Sequence, residues 1–278
     1  IDGVTHAGII ITNNTFSNIR NVVVDAQNYT GAVINNNTVS GTPDRFAAIG
    51  NSSVVAADNK INGTNTYGYF VERGSVSAIS GGYIKKAEDS AVFVQDNSSV
   101  TVDSVSISDS GVIGIFAKNS TVEAKNNSIS NSGNVGIYAQ NPTGVTSISG
   151  NAISSSGYAG VQIDNGNKLT SVISNTIKSS GTYGIVVFGA NGSKAQSNTA
   201  NGYSEYGIYI RESGANTNSN GIDVSKNTVS GGPSAIVLRR TDSGAVKKYT
   251  VTAANYGIYI NANCTKTTVT GNSYTGVI

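Results

Sequence analysis

An Asn, one variable residue, then an apolar residue: this pattern recurs along the 278-residue chain at intervals of 22–24 residues, with a single gap of 29. The anchors are Asn14, Asn37, Asn59, Asn127, Asn151, Asn175, Asn198, Asn227 and Asn272; degenerate copies at Gly82, Val105 and Tyr249 keep the interval. A period held over twelve copies means a solenoid of stacked units, none of which can bury its apolar face alone. Each unit divides into three short segments. Two spaced apolar residues precede the anchor (Val122 and Ala124), the anchor's own apolar partner follows (Ile129), and a run such as Gly136–Ala139 comes shortly after. Apolar residues at every second place mark strands with one buried face, and segments this short, broken by Gly, Asn and Ser, cannot be helices.

The expected fold is therefore all-β: a right-handed parallel β-helix of about twelve coils of 22–24 residues, filling residues 1–278 as one domain. Coils stacked about 4.8 Å apart make a rod of roughly 55–60 Å. The anchor Asn residues fall at one corner, where stacked amides can form a ladder. The Ser-Gly pairs at 110–111, 132–133, 156–157 and 180–181 are expected to supply the bend before the third strand, in the left-handed backbone that glycine adopts most cheaply.

Composition removes several function classes. Charged residues make up 12 % of the chain and the net charge is +2, too weak and diffuse for a nucleic-acid footprint. The apolar runs are short, "GIIIT" and "AIVL" among the longest, so membrane insertion is not expected. The chain has no Met, so Ile1 is not expected to be the encoded start. Cys264, the sole cysteine, excludes an internal disulfide and reads as a buried structural thiol.

The spacing, the Asn corner and the three-strand coil resemble the pectin lyase-like superfamily, and more narrowly its parallel β-helix repeat proteins. The resemblance covers nearly the whole chain. It implies the fold and, for enzymatic members, a groove along the third strand and its flanking turns. One scaffold serves lyases, hydrolases, epimerases, tailspikes and adhesins, so it implies no single activity. The motifs that mark the enzymatic branches are missing: no Asp-Pro-His-Glu run, no Gly-His-Gly, no calcium-binding nonapeptide. The lone histidine, His6, lies outside any complete coil, and no metal site or cofactor is expected.

Charged residues gather at two places. After the third strand, successive coils present Asp164, Phe188, Arg211 and Arg239, with Glu205, Glu212 and Arg240 beside them and a longer loop at 212–221. Were the chain an enzyme, Asp164, Arg211 and Arg239 would be its catalytic candidates. A second group precedes the third strand: Asp44, Arg45, Lys85, Lys86, Glu88, Asp89 and Asp109. There Glu88 and Asp109 could lie one rung apart, a spacing open to acid–base work on a glycosidic bond.

Strict alternation turns the middle residue of each third strand outward: Ala48, Phe70, Phe93, Phe116, Tyr138, Gln162, Val186, Tyr209, Val237 and Tyr259. An exposed stripe containing Phe70, Phe93, Phe116, Tyr138, Tyr209 and Tyr259 can stack on itself, carry sugar rings, or lie against a partner. The leading expectation is a non-catalytic rod, extracellular or at a cell surface, acting in adhesion, self-assembly or polysaccharide binding. Its partners would be copies of itself or adjoining domains at the open helix ends, or a polysaccharide. The alternative is a polysaccharide lyase, hydrolase or epimerase working in the third-strand groove.

Overall fold

The computed structural model describes residues 5–167, 169–189, 191–212, 219–252, 255–261 and 263–276. Three parallel sheets run side by side along it. The first has twelve strands, from Ile10–Thr12 to Thr268–Thr270; the second has twelve, from Thr15–Ser17 to Ser273–Thr275; the third has eleven, from Val22–Gln27 to Tyr256–Ile260. The chain visits the sheets in rotation, so each strand pairs with its counterpart one coil away: Val122 with Val100, Ile129 with Ile107, Tyr138 with Phe116. No helix occurs among the described residues.

Inward residues of the three sheets meet in one axial core, with Ile129, Ile137 and Ile148 wholly or almost wholly buried. Most corners turn on residues in the left-handed region. At the corner before the third sheet they form one column: Asn18, Gly41, Gly63, Lys86, Asp109, Asn131, Ser155, Ser179, Gly202 and Gly231, whose non-glycine members have φ of 52–58°. Asn and Asp tolerate this conformation better than other side-chain-bearing residues because their short polar chains bond locally.

The Ser-Gly pairs behave differently from expectation. Gly111, Gly133, Gly157 and Gly181 do not carry the positive φ; the residue two places earlier does. Glycine is required there for contact: a Cβ at Gly133 would stand 2.0 Å from the carbonyl oxygen of Gly111 in the coil below. The left-handed turn is made two residues earlier, and the glycine serves the close backbone approach that follows it.

At the corner between the first and second sheets the Asn side chains form the expected ladder. Asn151 is typical: its Oδ1 accepts from the backbone N–H and the amide of Asn127 at 3.0 and 2.9 Å, and its Nδ2 donates to Ala124 O and Asn175 Oδ1, both at 2.9 Å. Where degenerate anchors interrupt the column, a buried phenol ends it. Asn59 Nδ2 donates to the Tyr69 hydroxyl at 3.0 Å, and Asn227 Nδ2 to that of Tyr249 at 2.9 Å. A second ladder of hydroxyls joins the third sheet to the next coil, Ser52, Ser75, Ser98 and Ser120 each bonded to its neighbour. Cys264 takes this place near the end of the chain, half-buried, its Sγ accepting from Thr241 N–H at 3.4 Å.

Candidate functional site: the outer face of the third sheet

The second residue of the third strands from Tyr67–Glu72 to Tyr256–Ile260 is glycine in most coils, and cross-strand pairing skips that position. Ile113 pairs with Val135 and Ile115 with Ile137, while Gly114 and Gly136 are passed over. A Cβ on Gly136 would meet Ile153 Cγ2 at 2.5 Å, so this position faces the core together with Ile137. Two consecutive inward residues reverse the phase of alternation. The first and fourth residues of the strand therefore share the outer face, which carries two apolar columns rather than one.

The fourth-residue column follows the expected order, Phe70 over Phe93 over Phe116 over Tyr138. The first-residue column adds Tyr67, Ile113, Val135, Ala159, Tyr183 and Tyr206. From the Ile113 coil onward they make a second apolar cluster outside the axial core, in which Ile113, Val135, Ala159, Val186, Tyr209 and Val237 are buried. The stripe is thus less exposed than alternation implied. Phe70 is 8 % exposed, covered by the Tyr67 ring at 5.4 Å and the Arg45 guanidinium at 4.3 Å. Tyr209 is 6 % exposed beneath Tyr183, Tyr206 and Phe188, whereas Tyr259 is 45 % exposed.

Phe93, Phe116 and Tyr138 stack nearly parallel, centroids 5.0 and 4.9 Å apart and planes 11° and 7° from each other. Their faces cover one another, so they offer solvent mainly ring edges. At the next rung Gln162 replaces the aromatic and the stack stops. A second group begins beyond it: Tyr158 meets Tyr183 edge-on, and Tyr183 stacks on Tyr206.

The break between the two groups is polar. The Tyr138 hydroxyl donates to Asp164, and Gln162 Nε2 donates to the other oxygen of the same carboxylate at 3.0 Å. Burial, then the Asp164 carboxylate, push the Tyr138 phenol well above its ordinary pKa. Burial also raises the phenols of Tyr158 and Tyr183. These phenols stay protonated and can donate hydrogen bonds throughout the physiological range.

Asp164, Arg211 and Arg239 do lie in one column, but the rung of Phe188 separates Asp164 from both arginines. Arg211 spreads its guanidinium on the Phe188 ring at 4.4 Å. Arg239 and Arg240 both approach Oε1 of the buried Glu212, at 3.7 Å. A hydrogen bond with Tyr209, then the Glu212 charge, raise the Arg239 pKa further. The three catalytic candidates are therefore engaged separately rather than aimed at a common point. Most of the 212–221 loop, residues 213–218, lies outside the described residues.

The second charged group divides. Arg45 and Asp89 flank Tyr67 at the start of the third sheet, while Lys86, Glu88 and Asp109 line a cleft at the corner before it. His6 sits on a two-residue strand with its ring 5.4 Å from that of Tyr29. Among the described residues no three His, Cys, Asp or Glu side chains are grouped to hold a metal ion, and no helix is long and apolar enough to cross a membrane.

Three sheets wound in rotation around one core, with stacked amides at a corner, define a parallel β-solenoid. The chain belongs to the family described as "Right handed beta helix region", whose model matches residues 3–115 and 113–274. A search of curated protein sequences gave no match. Among solved structures the chain is similar to the A-module of the Azotobacter vinelandii mannuronan C-5 epimerase AlgE6, at 13 % identity and a TM-score of 0.57 over 95 % of this chain and 80 % of that one. It is similar to the Dettilon tailspike protein (14 %, 0.57, covering 96 % and 61 %). It also resembles the catalytic domain of a GH87 alpha-1,3-glucanase in complex with tetrasaccharides (14 %, 0.52, covering 95 % and 64 %). At these identities the likeness is one of fold.

Proposed function

We propose that this chain is a non-catalytic, extracellular or cell-surface β-helix that binds a polysaccharide along the outer face of its third sheet. One observation carries the reading. Among the described residues that face combines rows of aromatic rings with an amide and a carboxylate in the break between them, Gln162 and Asp164, and with a guanidinium, Arg211, on the strand of Tyr206 at the far end of the Tyr158–Tyr183–Tyr206 group. Sugars present apolar C–H faces and a rim of hydroxyls, so protein sites for them pair aromatic surface with convergent hydrogen-bonding groups. The dispersal of Asp164, Arg211 and Arg239 favours binding over turnover, because general acid–base chemistry needs groups aimed at one bond. Two of the similar structures carry names that refer to polysaccharide substrates, mannuronan and an alpha-1,3-glucan, which supports a polysaccharide partner.

The test is affinity electrophoresis of the purified chain through gels containing neutral and acidic polysaccharides, with the same incubations assayed for new reducing ends and unsaturated products. Retardation that weakens at least tenfold in the Tyr183→Ala and Gln162→Ala variants, without product, is the expected result. Retardation of no polysaccharide in a broad panel would sink the proposal. Appearance of products would replace it with the catalytic alternative.

A further inference from the structure

The corner before the third sheet holds a concavity that the aromatic face does not explain. Along most of the rod, side chains of the left-handed column project there: Asp109, Asn131, Ser155, Ser179. Two coils earlier the column is Gly41 and Gly63, at φ of 100° and 103°. The corner is unfilled at those glycines, and a cleft of about 700 Å³ opens over them. Thr42, Asn62, Lys86, Glu88 and Asp109 bring polar side chains to its lining, and Ala87 adds a small apolar one.

Gly63 cannot accept a side chain without rearrangement, since a Cβ there would stand 2.8 Å from the Gly41 carbonyl oxygen. The opening is thus built into the backbone and does not depend on one rotamer. Its depth is set by strand length. Lys60–Thr64 and Tyr83–Ala87 run five residues, against three for most strands of the second sheet, and Thr64 still pairs with Ala87 beyond the kink. A further hollow of about 440 Å³ adjoins through Gly41 and Thr42 and carries Arg20, giving the cleft length for more than one small ring.

The lining decides the ligand class. No aromatic ring and no large aliphatic side chain lines the cleft, so its carbon surface comes from small residues and side-chain stems. Lys86 and Arg20 balance Glu88 and Asp109, so neither an anion nor a cation is favoured as a whole. Carboxylates, an ammonium, a hydroxyl and an amide lining one open cleft match a ligand dense in neutral hydroxyls, because each hydroxyl can both donate to a carboxylate and accept from the ammonium in charge-assisted hydrogen bonds. We infer that the Gly41–Gly63 cleft is a second saccharide site, separate from the third-sheet face, which takes uncharged sugar residues through Glu88, Asp109 and Lys86. Asn131 Nδ2 donates to Asp109 Oδ1 at 3.0 Å, which holds the carboxylate in place at the rim of the cleft.

The experiment is an amide chemical-shift titration with methyl glycosides of glucose, galactose and mannose and their linear trisaccharides, with methyl glucuronide and glucosamine as charged counterparts. A neutral glycoside is expected to shift the Asn62 and Gly63 amides with a Kd on the order of millimolar, typical of an exposed polar site. Glu88→Gln should weaken it by about fivefold to tenfold, the loss of one charge-assisted hydrogen bond. Thr42→Trp, an exposed position, should plug the cleft and abolish the shifts, whereas Tyr183→Ala on the other face should leave them intact. The inference is overturned if no neutral glycoside moves these amides, if Thr42→Trp binds undiminished, or if glucuronide or glucosamine binds more tightly than the neutral sugars. Loss of polysaccharide retardation in Tyr183→Ala with the cleft shifts preserved would separate this site from the third-sheet one.

Discussion

Replacing Asn151 by Ala tests whether the amide ladder is structural in the strict sense. The side chain is 1 % exposed and takes part in four hydrogen bonds. Its removal leaves two donors of Asn127, the backbone N–H and one amide hydrogen, buried without an acceptor. At about 1–3 kcal/mol for each stranded group, the pair costs about 2–6 kcal/mol before any void is counted. A domain stable by about 5–15 kcal/mol would lose a large share of that stability. Because each coil touches only its neighbours, the loss should be felt first in the coils around residues 127 and 175. Urea unfolding followed by far-ultraviolet circular dichroism gives the magnitude, and hydrogen exchange at the Asn127 amide gives the location. Ser128→Ala, an exposed change one residue from that amide, should stay within about 0.5 kcal/mol. If Asn151→Ala costs less than about 1 kcal/mol and the Asn127 amide exchanges no faster, the ladder is an ornament of the corner and the reasoning fails.

Three further outcomes are expected. Gly133→Ala should destabilise by more than about 2 kcal/mol in thermal denaturation although its φ is ordinary, and should exceed Gly74→Ala, whose φ of +71° is strained but whose surroundings are open. Phe116→Ala should cost about 2–3 kcal/mol by urea midpoint, since it removes two ring stacks and part-buried area, and Phe116→Leu should recover the area but not the stacking. The Asp109 carboxyl is held below its ordinary pKa, first by the Asn131 hydrogen bond and then by Ser108; its stabilising contribution is present above the ordinary Asp value and lost as pH falls through the depressed one. Carbon-detected NMR titration should place its midpoint higher in Asn131→Gly than in the parent chain.

The architecture was legible because a parallel solenoid repeats its chemistry at every coil. Twelve anchors at one interval leave little choice of topology, and alternation around Ile129 and Ile137 assigns the core. The outer face was only half legible. The fourth-residue column could be read from the anchors, but Tyr67, Tyr183 and Tyr206 were missed because a glycine kink shifts the phase of alternation by one residue. The recurring Gly one place before the buried Ile was the available signal. Glycine at 111 and 133 was read as a left-handed turn because composition cannot distinguish a φ requirement from a contact requirement. The engagement of Asp164 by Tyr138 depends on how far a phenol 26 residues away reaches across a rung, and the cleft depends on side chains that are absent at Gly41 and Gly63.

The phenols that end the Asn column give the rod a grammar for growth. Every amide in a run hands its hydrogen to the next coil in the same direction, so a run needs a terminator that accepts without passing the amide pattern on. Tyr69 and Tyr249 serve as those terminators. A whole coil copied into the run from Asn127 to Asn227 would find a donor below and an acceptor above, and the rod would lengthen by one step without a mismatch. The same coil inserted between Asn227 and Tyr249 would simply move the point of termination outward. Duplication of the Val105 coil would instead leave the first copy's backbone N–H, the counterpart of the one that donates to Asn127 Oδ1, facing a coil with no amide to receive it. Length variation in such rods should therefore be concentrated inside the amide runs, with the tyrosine-ended junctions kept in single copy.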